Sequence, residues 1–171
     1  TPIPPMDYKV ERFSEVRKAD GVRLPGKFPS QKQAFTVPAN SKIHLILDQG
    51  QLTTGYLSMF FSGGRGTEVR LGYTEAYYSN PATGAKDNRN ELDGKMFVGY
   101  EDKIICDGGN DREYTNLWWR TWRYVDVRIE TKNEPLVIED LYSTYSAYPF
   151  VREARFVAPE NEYLENILEI G

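Results

Sequence analysis

Between residues 34 and 148 the apolar side chains recur with a period of two, and no stretch there carries the period of a helix. A period of two sends successive side chains to opposite faces of an extended chain, so this region folds as strands. Ile43, Leu45 and Leu47 alternate with His44 and Asp48, while Ile46 adds apolar cover on the second face. Val69, Leu71 and Tyr73 oppose Glu68, Arg70 and Thr74, and Val125, Val127 and Ile129 oppose Tyr124, Asp126 and Arg128. Strands are expected over 43–48, 55–62, 67–78, 96–106, 114–130 and 136–148, with turn residues between them at 63–66, 107–110 and 133–135. Residues 79–94 are polar and rich in Asn, Asp and Gly, which makes them the longest internal loop. About seven short strands with no helix between them predict an all-β fold, a two-sheet antiparallel β-sandwich of jelly-roll type.

The two ends differ from this middle. Residues 1–33 mix charge, Pro and Gly without a sustained period and read as an extended lead-in, and the sandwich domain is expected over 34–158. Residues 159–171 place Tyr163, Leu164, Ile167, Leu168 and Ile170 at helical spacing, so a short C-terminal helix is expected. A helix this short is marginal alone and needs a partner surface. With no initiator Met and an apolar helix at its end, the chain reads as a segment of a larger protein, the helix opening a further domain.

Charge and cysteine content exclude several functions. A net charge of −4 and a pI near 5.2 lack the basic footprint of a nucleic-acid binder. Cys106 is the only cysteine, which rules out an internal disulfide and a Cys-rich zinc site and leaves the redox compartment open. No apolar run is long enough to cross a membrane. His44, the only histidine, has no second His or Cys beside it and reads as an exposed strand residue.

Aromatic residues make up 13% of the chain, a bias that suits sheets and also suits surfaces that hold sugar rings. Trp118, Trp119 and Trp122 are candidates for a stacking platform. Strand alternation turns Trp118 and Trp122 to one side and Trp119 to the other, so packing accounts for at least one of them. Glu75 is in phase with Val69, Leu71 and Tyr73, so its carboxylate points to the buried side or emerges at the strand end. If buried it needs a cation, and Arg120 or Arg123 is the expected partner. The run Asp87-Asn88-Arg89-Asn90-Glu91 with Asp93 offers oxygen ligands of the kind Ca²⁺ takes, yet lacks a full calcium-loop pattern, and turn-forming Asn and Asp explain it without metal. No cofactor is expected.

The run Leu117-Trp118-Trp119-Arg120-Thr121-Trp122-Arg123-Tyr124, with Asp140-Leu141-Tyr142 and Tyr148-Pro149-Phe150, resembles the sandwich domain of bacterial α-L-rhamnosidases. Val69-Arg70-Leu71-Gly72-Tyr73-Thr74-Glu75, Asn88-Arg89-Asn90-Glu91, Gly94 and Asp107-Gly108-Gly109 fall in that family's order, and the likeness runs over roughly 34–171. It implies a galactose-binding or concanavalin-type jelly roll set before an (α/α) barrel that hydrolyses terminal α-L-rhamnosides with inversion. Inversion needs two carboxyl groups about 6.5–9.5 Å apart, which in the family belong to the barrel and lie beyond Gly171. The resemblance therefore implies no catalytic residue here, the catalytic domain of the same protein as partner, and a bacterial, periplasmic or secreted setting. Trp118, Trp119, Trp122, Arg120, Glu75 and Asn90 are the candidate carbohydrate-binding or interface residues. An independent module that binds rhamnose-containing glycan is the alternative role.

Overall fold

The structure is a computed structural model that describes residues 3–151, 153, 156–161 and 163–170. The first two residues of the lead-in, Gly171 of the C-terminal segment and the side chains of Leu168 and Ile170 lie outside that description. Among the described residues nine strands form: β1 (Asp7–Glu11), β2 (Glu15–Asp20), β3 (Phe35–Val37), β4 (Lys42–Gly63), β5 (Glu68–Thr74), β6 (Tyr100–Ile105), β7 (Arg112–Thr115), β8 (Arg120–Glu130) and β9 (Leu136–Ala147). One helix, α1 (Tyr163–Ile170), follows.

All pairings are antiparallel, and they sort the strands into two layers that share β4. The first half of β4 lies between β2 and β8, and β5 and β6 extend that layer in the order β2-β4-β8-β5-β6. Its second half lies between β9 and β7, with β1 and β3 on the far side of β9. The sheet expectations over 43–48 and 55–62 are thus one strand of 22 residues. It turns the corner between layers where Asp48 pairs with Tyr124 and Thr53 with Trp122, leaving residues 49–52 opposite Arg123 alone. Gly50 at φ +88° and the Asp48 carboxylate, which accepts the Gly50 N–H at 2.8 Å, shape the bend. Corners of this kind let one strand serve both sheets of a sandwich.

The alternating positions behave as the pattern requires. Leu45, Leu47, Val69, Leu71, Val125, Val127 and Ile129 from one layer meet Leu57, Met59, Phe61, Leu136, Ile138 and Leu141 from the other in a single core. Ile46 faces outward and packs with Tyr77 and Tyr124 under Leu92 and Phe97, so the long loop folds over the outer face of the first layer.

The lead-in departs from expectation. β1 pairs with β9 and β2 with β4, and Phe13 and Phe28 join the core at 0% and 7% exposure, so these residues belong to the sandwich. Their alternation is weak because β1 and β2 are mostly solvent-facing strands whose pairing comes from distant segments. The stretch read as one strand over 114–130 is broken. β7 and β8 follow the same edge of β4, but residues 116–119 leave the ladder between them. Strand alternation therefore does not govern Trp118 and Trp119.

Candidate functional site

The break between β7 and β8 builds the most distinctive surface of the molecule. Asn116, 2% exposed, accepts the Leu57 N–H through Oδ1 at 2.5 Å and donates through Nδ2 to the Trp118 carbonyl at 2.5 Å. One buried amide thus replaces the missing ladder bonds and fixes the loop to β4. Beyond it Leu117, Trp118 and Trp119 project outward, with 99%, 64% and 46% of their surface exposed. The two indoles lie with centroids 6.5 Å apart and planes 30° apart.

These indoles stand at a cleft of ≈ 570 Å³. Tyr73, Thr74 and Glu75 at the end of β5 form part of its lining, Tyr78 and Lys86 come from the loop, and Trp118 to Thr121 lead into β8. Val98, Gly99 and Tyr100 complete it. A Cβ on Gly99 would sit 2.0 Å from the Tyr73 carbonyl oxygen, and one on Gly72 would sit 2.5 Å from the Phe97 ring. Absent side chains at both positions let residues 97–100 lie against β5. Arg120 reaches over the Tyr73 ring at 5.8 Å and donates to Asp102 at 2.9 Å. Tyr73, 3% exposed, has Asp102, Tyr114 and Arg120 around its phenol. Burial first, and then the Asp102 charge, push the Tyr73 phenol well above its ordinary pKa, so it remains a neutral donor.

Four of the six residues singled out in the sequence, Trp118, Trp119, Arg120 and Glu75, border this one cleft. Glu75 is exposed at the strand end. It pairs with Lys86 at 3.3 Å and Arg89 at 3.8 Å, not with Arg120 or Arg123, because β5 ends at Thr74 and the chain turns away from β8. Trp122 is fully buried against Tyr73, 5.7 Å between centroids, and belongs to the core. Asn90 lies elsewhere. It accepts from Arg123 through Oδ1 at 2.6 Å and from Arg17 through its carbonyl at 2.7 Å. Both arginines also grip Asp48, which is 1% exposed, at 3.0 to 3.2 Å. Asn90 ties the long loop to the sheet. Sequence reasoning missed Asn116, whose role shows only in its bond to Leu57 of β4, and Tyr73, Tyr100, Lys86 and Gly99, which only the folded strands and loop bring beside the tryptophans.

In the oxygen-rich loop the Lys95 ammonium donates to the carbonyls of Lys86 at 2.7 Å and Asn88 at 2.5 Å, so a side-chain cation already sits on these oxygens. Among the described residues no group of three His, Cys, Asp or Glu side chains is placed to hold a metal ion. His44 is more engaged than an exposed strand residue: its Nε2 lies 2.8 Å from Asp126 Oδ2, and its side chain is 28% exposed. Tyr77 donates to the same oxygen at 2.5 Å, and Arg128 lies 2.8 Å from Oδ1. Burial pushes the Asp126 carboxyl up, but His44, Tyr77 and Arg128 outweigh it and the pKa falls below the usual carboxylate range.

A second cleft of ≈ 450 Å³ crosses the outer face of the first layer beside Lys42, His44, Glu68, Arg70, Arg128 and Glu130. Its charges are matched in place. Lys132 and Lys42 hold Glu130 down at about 2, and Lys103 and Arg70 lower Glu68. Among the described residues Glu68, Asp107, Asp126 and Glu130 all have lowered pKa values.

Residues 39–143, more than half of the chain, match the family model for the bacterial alpha-L-rhamnosidase concanavalin-like domain. The chain belongs to this family. Two solved rhamnosidases carry a region similar to this concanavalin-like domain. The GH78 family rhamnosidase of Bacillus sp. GL1 is 18% identical with a TM-score of 0.53, over 78% of this chain and 13% of that one. The rhamnosidase from Klebsiella oxytoca, solved with rhamnose bound, is 13% identical with a TM-score of 0.60, over 92% of this chain and 33% of that one. At these identities the likeness is one of fold, and the chain spans a minor part of either enzyme. None of the curated proteins matches the sequence.

Proposed function

We propose that this concanavalin-like domain is a non-catalytic accessory domain of an α-L-rhamnosidase, and that it packs against and supports the catalytic domain of the same protein. The observation that carries this reading is the segment after β9. Tyr148, Phe150, Val151, Phe156, Val157, Tyr163 and Ile167 are 51–82% exposed, a series of large apolar side chains spread through the stretch that leads into α1. Covering one such side chain contributes about 1.5–3 kcal/mol, so a partner surface over several of them stabilises the pair strongly.

Two measurements test the reading. The chain alone should give no release of p-nitrophenol from p-nitrophenyl α-L-rhamnoside, and turnover that survives purification would refute the non-catalytic role. Co-expressed with the catalytic domain of its parent protein, the chain should co-purify and unfold at a higher temperature. Phe150→Asp with Phe156→Asp should abolish both effects while leaving the melting of the isolated chain unchanged. Independent elution of the two domains would sink the supporting role.

A further inference from the structure

We infer that the cleft beside Trp118 and Trp119 is a binding site for a neutral pyranose sugar, independent of the apolar segment after β9. Three features of the cleft converge on that class of ligand. Its wall offers flat apolar faces, since Trp118, Trp119 and Tyr100 keep 64%, 46% and 80% of their surface exposed. An indole covers the C–H face of a sugar ring and presents an N–H to a hydroxyl. The same cleft carries polar residues beside these faces: Thr74, Arg120 and Thr121 all border it.

Charge complementarity selects a neutral ligand. Arg120 is paired with Asp102, and Lys86 and Arg89 both lie on Glu75, so each cation beside the cleft already has a carboxylate and no unpaired anion faces an amine. The platform is also held in advance of binding, because Asn116 anchors the Trp118 backbone to β4. A volume of ≈ 570 Å³ falls within the roughly 300–1,000 Å³ typical of ligand clefts.

The test is a titration of the whole chain with methyl α-L-rhamnopyranoside, methyl β-D-glucopyranoside and sodium D-galacturonate, followed by tryptophan fluorescence and calorimetry. At least one of the two neutral glycosides is expected to bind saturably and more tightly than the galacturonate. Replacing both exposed indoles, Trp118→Ala with Trp119→Ala, should weaken that binding by about tenfold or more. The unfolding temperature should stay unchanged, because neither ring belongs to the core. Trp118→Phe with Trp119→Phe should retain part of the affinity, a graded result that loss of folding would not give. Flat traces with both neutral sugars, preference for the galacturonate, or unaltered binding in the double Ala variant would each overturn the site. None of these outcomes bears on docking to a catalytic domain, which rests on different residues.

Discussion

Asp48 shows what a single side chain does at the corner of β4. It is buried, and it accepts from Arg17, Arg123 and the Gly50 N–H at once. Removing it strands two partly buried guanidiniums and loosens the bend, so Asp48→Ala should cost on the order of 3 kcal/mol, read as a lower urea midpoint. Asn116→Ala should cost about 1–3 kcal/mol, because the Leu57 N–H loses its acceptor. The same change should make Trp118 more accessible to acrylamide quenching. Cys106 is 2% exposed, and burial, helped by Asp107, raises its thiol to about 11. It should resist disulfide-exchange reagents at neutral pH until urea unfolds the chain, and rapid labelling of the native state would contradict its placement in the core.

At the scale of elements, the period-two pattern located the central strands because both sides of each are specified by burial. It failed where pairing is decided elsewhere. β7 and β8 read as one strand since both border β4, and only the geometry of β4 shows that residues 116–119 are expelled from the ladder. For the same reason Trp118 and Trp119 share an exposed surface although alternation places them apart. The wall at residues 97–100 depends on close backbone approach to β5. Gly99→Ala should force that wall outward and destabilise the fold by about 1–3 kcal/mol, with altered indole fluorescence at the cleft. An unchanged melting curve and spectrum would show that the approach is slacker than described.

Across the whole molecule, ionic pairing sets the response to acid. Glu68, Asp107, Asp126 and Glu130 have lowered pKa values in the folded chain, Asp107 and Glu130 at about 2. A group whose folded pKa lies below its unfolded value adds its full stabilisation above the unfolded pKa and loses it as pH falls through the folded one. The urea midpoint should therefore decline as pH drops from about 5 toward about 2, and high salt should reduce the share carried by the exposed pairs. A midpoint that rises on acidification would reverse the assigned sign.

How far the sequence reaches follows from what each signal depends on. Alternation, turn residues and the Trp-Trp-Arg-Thr-Trp-Arg-Tyr run depend on neighbours along the chain, so they established the sandwich, its core positions and its family likeness. Glu75 was visible as a candidate because it is in phase with the buried positions of its strand, Arg120 as a cation for it, and Trp118 and Trp119 because an indole can stack on a sugar ring. Their gathering around one cleft was not visible, nor was the separate task of Asn90, nor the entry of β1 and β2 into the sheet. Those depend on which strands become neighbours, and strand neighbours here come from segments far apart in sequence: Asn116 meets Leu57, Arg120 meets Asp102, and Glu11 meets Ser143. Such contacts form only when two layers close over a shared core, and no local pattern records their partners.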